Sequence, residues 1–479
     1  MPRRSAAGGC GVVTMSNTSA SGQSDVLQDR IARFASDLAF EHLAAGDVEA
    51  AKARIIDTFA ASYAGFFSET AHAARAYAAS LAPGGRCAII GTRERTSPEA
   101  AAFVNSTTSR QAEWNDVYMS RAGGGAHPSD VILPILAAAE HAGADGKEFL
   151  TAVVIAYEVY LNISDAAQIT GFDQSVLAGI GVAAGAGRVL GLTLPQLKHA
   201  VSICAVANNA IIQTRRDHMT MWKAAAAGQS GKAGVSAALM AKAGMEGPSL
   251  PFEGAGGWNR TVARNEYEVG GLDPRTGPYR IRDALIKPRA SCAVTISSIF
   301  AAEDAARKVR APDVERVIVE TYGYAKNTVG TGENRWNPGS SESADHSIPY
   351  VVAAALCDGT VGQRQFKEDR LWGADIRALL PRIEVRANDE FSKAYEAHPR
   401  WHYTRVTVHT RSGSVVVGEA GGPDGEDMGK EKSAAGIEAK FMSLAQDLIG
   451  EQRAKEALRR MWSLPEIADV KEIPPLFVL

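Results

Sequence analysis

The sequence predicts a mainly α-helical fold, with a large all-helical domain, a smaller α+β lid domain, and a chain end that returns to the helices. Three observations carry this reading. Apolar residues recur at intervals of three and four from about 26 to 283, with abundant alanine and few strand-like runs. After about 284, short alternating β-branched segments enter. Helical periodicity resumes beyond a polar, glycine-rich segment at 421–432. The expected domains are a disordered tail at 1–25, a helical domain at 26–283, a lid at 284–425, and C-terminal helices at 426–479.

Each element has its own justification. The start, "MPRRSAAGGCGVVTMSNTSASGQSD", is small and polar, and its apolar stretch is too short for a secretory h-region. Met15 is an alternative start, which would make 1–14 a misassigned extension. "DVLQDRIARFASDLAFEHL" (25–43) and "DVEAAKARIIDTFAASYAGFF" (47–67) are amphipathic helices, and 126–143, 145–167 and 193–210 continue the pattern. "GIGVAAGAG" (179–187) invites a dinucleotide-loop reading, but its glycines do not form G-x-G-x-x-G and no strand precedes it. Gly181 and Gly185 stand four apart and share a helix face, which suits close approach of a neighbouring helix. In the lid, 314–323, 381–389, 403–410 and 414–419 read as strands, the last two joined by a hairpin at Arg411-Ser412-Gly413. Helices are expected there at 291–309, 346–357 and 363–380. The segment 434–464 is helical again.

Composition narrows the function. The 479 residues are 46% hydrophobic and 22% charged, ordinary for a globular chain with a large core. A net charge of −3 gives no general basic surface for nucleic acid. No apolar run is read as membrane-spanning; the closest, 176–192, is interrupted by Arg188. Cys10, Cys87, Cys204, Cys292 and Cys357 make no C-x-x-C pair, which gives a zinc ribbon or iron–sulfur cluster little support. Sparse cysteines suit a reducing compartment, so a cytoplasmic protein without metal or cofactor is expected.

Four places gather polar residues in apolar surroundings. The first is Glu113-Trp114-Asn115-Asp116 with "AGGGAHPSDVILP" after it, where a glycine loop delivers His127 to a helix start. Glycine admits close backbone approach to a ligand, and a helix N-terminus attracts carboxylates. Ser129 or Asp130 could equally cap that helix. The second is "QTRRDHMTMWKAAAAG" (213–228), with Arg215, His218 and Lys223. The third is "LIKPRASC" (285–292), with Lys287 and Arg289 between the domains. The fourth is "SADHSIPYVVAAAL" (343–356), with Asp345 and His346. Each also has a structural reading: a solvated helix end, a snorkelling lysine, linker charges, or an N-cap. Together they suggest a cleft lined by Lys, Arg and His, suited to a small polyanion. Arginine holds carboxylates in bidentate geometry, and a Lys or His with a shifted pKa removes a proton beside a carboxylate.

These segments resemble the MmgE/PrpD family, the group of 2-methylcitrate dehydratase, over roughly 27–465. The most specific piece is 213–258, with its Q-T-R, M-W-K, small-residue helix and G-P-x-x-x-F-E-G. "HPSDVILPILAAAE", "LIKPRASC" and "ADHSIPYVVAAALCDG" match further family signatures in order. The resemblance implies an active site between a helical domain and an α+β lid, a homodimer, and no iron–sulfur cluster. It implies an activity among 2-methylcitrate dehydration, cis-aconitate decarboxylation and iminodisuccinate epimerisation. Position by position, the family's active-site residues fall on Glu113, Val117, His127, Lys223 and Lys287, with Asp173 also lining the pocket. The family's D-F-D/N-D-T is here Glu113-Trp114-Asn115-Asp116-Val117, so a carboxylate is lengthened by one methylene and a hydroxyl is lost. Asp173 stands where the decarboxylases tend to have histidine, which favours a dehydratase-like site.

The expected function is therefore a cofactor-independent lyase on a di- or tricarboxylate, dehydrating 2-methylcitrate to 2-methylaconitate. The alternatives are the family's decarboxylase or epimerase reactions, or a non-catalytic polycarboxylate binder. His127 and Lys287 are the expected acid–base pair, in either order, with Lys223 completing the catalytic set. Glu113, Asp116, Val117, Asp173, Arg215, His218 and Arg289 are the expected substrate-binding residues.

Overall fold

A computed structural model describes residues 24–81, 84–217, 219–397, 400–422 and 433–479. The expected tail at 1–23 lies outside them. Its assigned end is corrected: Asp25 is an ordered, buried helix cap. Its carboxylate accepts the Gln28 N–H at 3.0 Å and the N–H groups of Phe252 and Glu253 at 2.8 and 2.9 Å.

The fold is mainly helical, with a smaller α+β part. The helical part runs through α1 (Val26–Asp37), α2 (Ala45–Gly65), α3 (Glu69–Ala79), α4 (Pro98–Gln111), α5 (Ile132–Ala142), α6 (Gly146–Ala166), α7 (Ser175–Val189), α8 (Leu194–Ala207) and α9 (Trp222–Lys242). Two short ribbons interrupt it: β1 (Cys87–Ala88) with β2 (Arg95–Thr96), and β3 (Tyr118–Met119) with β4 (Gly125–Ala126). Small residues set how closely α7 lies on α6. A Cβ at Gly181 would stand 2.6 Å from the Ala156 carbonyl oxygen, and one at Gly185 would stand 2.7 Å from that of Ala152. The stretch 179–187 is thus a helix-contact face.

Helix α6 corrects one sequence expectation, because it is long and apolar enough to cross a membrane. It hides from a run-length reading because Glu158 and Asn162 interrupt it, and these two bond each other. Every residue from Phe149 to Ser164 is buried in the protein core.

The second core is built on a four-stranded sheet of order β6-β5-β7-β8. Strand β5 (Val314–Thr321) pairs parallel with β6 (Ile383–Ala387) and antiparallel with β7 (Thr404–Thr410). Strand β8 (Val415–Ala420) closes the hairpin through Gly413 at φ +85°, a left-handed turn position. Val317, Val319, Val406 and Val408 are buried by the period-2 alternation. Helices α10 (Ile296–Ala306) and α12 (Ile348–Asp358) pack in this core, with α11 (Gly323–Val329) and α13 (Asp389–Glu396) at its margin. The helix expected at 363–380 is broken into Gln363–Phe366, Glu368–Leu371 and Ala374–Leu379, because Lys367 and Gly373 take extended backbone between the pieces.

Helices α14 (Ala434–Ile449) and α15 (Glu451–Trp462) lie against the helical part. Ile437, Phe441, Met461 and Phe477 join its core, and Phe477 stacks on Phe59 at 4.0 Å between ring centroids. Lys440 of α14 pairs with Asp57 at 2.6 Å and donates to the carbonyls of Trp114 and Lys287 at 2.7 and 3.1 Å. It ties together the two segments that carry Glu113 and Lys287.

Candidate active site

The site is built on the segment between α4 and α5. Gly123 and Gly124 take φ +100° and +84°, which lets the chain reverse between β3 and β4 and return to His127. The helix start behind His127 is not capped by Ser129 or Asp130. Asp116 caps it from upstream: its carboxylate accepts the Ser129 N–H at 2.9 Å and the Tyr157 hydroxyl at 2.9 Å. His127 Nδ1 lies 2.9 Å from the Asp116 carbonyl oxygen. A carbonyl only accepts, so Nδ1 carries the hydrogen and the neutral ring keeps its lone pair on Nε2. Burial, with the Arg110, Lys287 and Arg215 charges, holds the imidazole well below its ordinary value, although Glu113 opposes this. The ring is therefore neutral at pH 7.

Glu113 is the hub. It sits at φ +50°, a left-handed conformation that a glutamate adopts at a cost of about 1–3 kcal/mol. Its fully buried carboxylate meets Arg110 at 2.5 Å, Lys287 at 2.9 Å, Lys223 at 3.3 Å and His127 Nε2 at 3.7 Å. Burial opposes its charge, but Arg110, Lys287 and Lys223 prevail and hold the carboxyl well below the usual range. Burial lowers the Lys287 ammonium despite Glu113 beside it. Lys287 also donates to the Ser291 carbonyl at 3.2 Å. Lys223 donates to both Asp345 oxygens, at 3.1 and 3.0 Å. The Val117 and Leu285 backbones exchange two hydrogen bonds, of 2.8 and 2.7 Å, which lock the Glu113 and Lys287 segments in register. Behind them, burial pushes Asp130 up to about 7.

A cavity of about 770 Å³ opens in front of this cluster, between the two cores. Of the expected site residues, Val117, His127 and Arg215 line it. Glu113, Lys223 and Lys287 form the charged layer at His127 and are almost wholly buried, Lys287 at 0% exposure. Asp116 orients the histidine loop and does not face the cavity. Asp173 and Arg289, expected to bind substrate, also stand away from the cavity. Asp173 is fully buried behind the wall, its carboxylate held at 2.5 Å by Arg215 and by the Ser175 N–H. Arg289 turns into the lid, where it pairs with Glu303 at 3.0 Å and stacks on Phe300. His218 lies outside the described residues.

The sequence reading also missed residues. Arg110 sits on α4 among buried Ser, Thr and Asn side chains, so it reads as part of a solvated face. Arg216, Cys292, Tyr324 and Arg335 line the cavity too, beside His346, which the sequence singles out with Asp345. Cys292 and His346 lie within "LIKPRASC" and "SADHSIPY", so the motifs already contained them. Among the described residues, no group of three or more His, Cys, Asp or Glu is placed to hold a metal ion.

Comparison with known proteins extends over both parts. A family model described as the MmgE/PrpD N-terminal domain matches residues 29–269, and one described as the MmgE/PrpD C-terminal domain matches 290–464. Human cis-aconitate decarboxylase is 24% identical over 91% of this chain and 91% of its own length. A cis-aconitate decarboxylase of Aspergillus terreus is 26% identical over 92% of this chain and 93% of its own. The 2-methylcitrate dehydratase of Salmonella typhi is 26% identical over 69% of this chain and 72% of its own.

Proposed function

The chain belongs to the MmgE/PrpD family, and from that premise we propose that it is a lyase on a small di- or tricarboxylate, dehydrating 2-methylcitrate to 2-methylaconitate. The observation that carries this reading is His127, held neutral with its Nδ1 hydrogen engaged, at a cavity that arginines line. Its free Nε2 takes the proton from the carbon beside a substrate carboxylate. The C–H electron pair becomes the new double bond, and the β-hydroxyl leaves as water once it is protonated. Arg215, Arg216 and Arg335 hold the carboxylates. Lys287, Lys223 and Arg110 supply a fixed positive field for the enolate-like charge that develops. This assigns His127 as the base. Lys287 and Lys223 act through Glu113, because neither side chain reaches the cavity wall. Cation charge that the chain itself supplies is the reason to read the reaction as independent of a cofactor.

Val117 supports the methylated substrate. It presents an apolar surface to the cavity beside Ala293, and Leu285 and Ile296 pack with them. A second reading, decarboxylation of cis-aconitate, is favoured by the decarboxylase relatives, which match over more of this chain than the dehydratase does. The carboxylate cradle serves both, but decarboxylation releases CO₂ and needs a proton delivered to carbon, so it requires a proton donor in place of the neutral base.

The test is a panel of 2-methylcitrate, citrate and cis-aconitate with purified protein, followed by proton NMR. The expected result is conversion of 2-methylcitrate to its dehydrated product ahead of the other two. Release of CO₂ from cis-aconitate would favour the second reading. Saturable binding without turnover of any polycarboxylate would overturn both and leave a binding protein.

A further inference from the structure

Arginines line the cavity, and one of them is already engaged. Arg215 stands at the wall, yet its Nε donates to Asp173 Oδ2 at 2.5 Å and its Nη2 to Asp173 Oδ1 at 3.4 Å. Nε and the nearer hydrogen of Nη2 make one edge of the guanidinium. The outer edge, Nη1 with the second Nη2 hydrogen, is left over, and Nη1 donates to nothing among the described residues. A planar fork of five donors serves two carboxylates at once, Asp173 on one edge and a ligand on the other.

Asp173 is fixed before any ligand arrives. Its N–H donates to the Ala210 carbonyl at 2.9 Å, and the Ile212 N–H donates to the Gly171 carbonyl at 3.0 Å. These bonds clamp 171–173 onto the segment that leads to Arg215. Phe172 and Gln174 line the cavity, while Asp173 between them turns inward and is buried. The Ser175 N–H, at the start of α7, donates to Oδ1 at 3.0 Å. Burial opposes the charge on Asp173, but Arg215 and Ser175 hold its carboxyl below the ordinary value. The Arg215 side chain itself keeps 15% exposure.

We propose that Asp173 is a positioning residue: it pins Arg215 so that the outer guanidinium edge grips one substrate carboxylate end-on. This rests on the carboxylate-binding part of the function proposed above. The gripped carboxylate is a spectator. Enolate-like charge develops at the carboxylate beside the abstracted proton, where Lys287, Lys223 and Arg110 supply the field, so Arg215 holds a different one. That group keeps its charge throughout and is held as well before the transition state as in it. Asp173 contributes by ordering. A free arginine loses side-chain freedom when it binds a ligand, and here that freedom is already gone. Asp173 makes no bond to the substrate, so its effect passes through Arg215.

The test is a double-mutant cycle on the full chain, read as the affinity for tricarballylate, a tricarboxylate with no hydroxyl to lose, by isothermal titration calorimetry. Asp173→Asn keeps the shape and removes the charge that pins the arginine. Arg215→Lys keeps a cation beside Asp173 but cannot bridge two carboxylates. Each should weaken Kd by about 10–100-fold, the worth of a hydrogen bond to a charged group. The double variant should bind no worse than the weaker single one, because both changes break one device. In turnover of 2-methylcitrate, Asp173→Asn should raise KM by a similar factor with kcat nearly unchanged. An Asp173→Asn affinity within about twofold of the wild type, losses that multiply in the double variant, or a fall in kcat at constant KM would overturn the proposal. If Asp173→Asn does not fold, Arg215→Lys carries the test alone, and unchanged affinity there would overturn it. A wild type that binds no tricarballylate would overturn it too. A wild type that binds tricarballylate but turns over no polycarboxylate would sink the lyase reading, while the cycle still decides the role of Asp173.

Discussion

Replacing Glu113 by glutamine should destabilise the fold far more than loss of one surface charge would. The carboxylate is 1% exposed and has three cations within 3.3 Å. At an effective dielectric of about 20, a unit pair at the Lys287 distance of 2.9 Å is worth about 6 kcal/mol before desolvation. Breaking a buried pair by removing one partner costs about 3–5 kcal/mol, because the other charge stays buried without compensation. Glutamine keeps the length, an accepting oxygen and the φ +50° backbone, so the change isolates the charge. Urea unfolding followed by far-UV circular dichroism should show a loss of about 3–5 kcal/mol. Adding Lys287→Met should recover part of it, with a coupling of about 1–3 kcal/mol. A Glu113→Gln variant within about 1 kcal/mol of the wild type, or one with no coupling to Lys287, would refute the reasoning that Glu113 anchors the cluster.

The other predictions concern the cavity. His127→Ala should lower turnover by about 10²–10⁴-fold with the fold intact; near-full activity would remove His127 from the chemistry. Because the His127 imidazole is held down in the folded chain, the acid limb of kcat/KM should fall below the ordinary histidine value of about 6.5. The unfolded chain then binds that proton first, so the stability His127 contributes is present above about pH 6.5 and is lost as pH falls below it. Val117→Thr should narrow the preference for 2-methylcitrate over citrate, by up to about 1–3 kcal/mol in the kcat/KM ratio if a citrate group now finds a partner; an unchanged ratio would place this wall away from the methyl group. A bound polycarboxylate should slow hydrogen exchange at 122–130 and 285–292 together, and protection of one segment alone would contradict a shared site.

What was legible in the sequence follows from which forces act locally. Apolar periodicity marks α1, α2, α6 and α8 within a few residues, because burial of one face is repeated along the chain. The four long strands and the Gly413 hairpin show through alternation and turn chemistry. His127, Lys223, Glu113 and Lys287 stand out as polar groups beside apolar helices, and they do converge. Which of them faces solvent does not follow from local pattern. Arg289 and Lys287 are two residues apart, yet one turns to Glu303 and the other to Glu113, a choice made by the Val117–Leu285 bridge. Asp173 carries the right chemistry, but Arg215 captures it and takes the place at the wall. Arg110 is hidden by its neighbours, since buried Ser and Thr on α4 look like a solvated face until α9 packs against them. The Asp116 cap depends on a contact thirteen residues long, beyond any local capping signature.

The central claim is that His127 is a neutral base with its Nδ1 hydrogen held by Asp116 and its Nε2 lone pair free. Nitrogen-15 NMR of histidine-labelled protein reads tautomer and protonation directly, with His127→Ala identifying the signal. The account expects an Nδ1–H tautomer with an unprotonated Nε2 that does not titrate between about pH 6 and 8. An Nε2–H tautomer, or a ring that takes up its proton at or above the ordinary value of about 6.5, would contradict it.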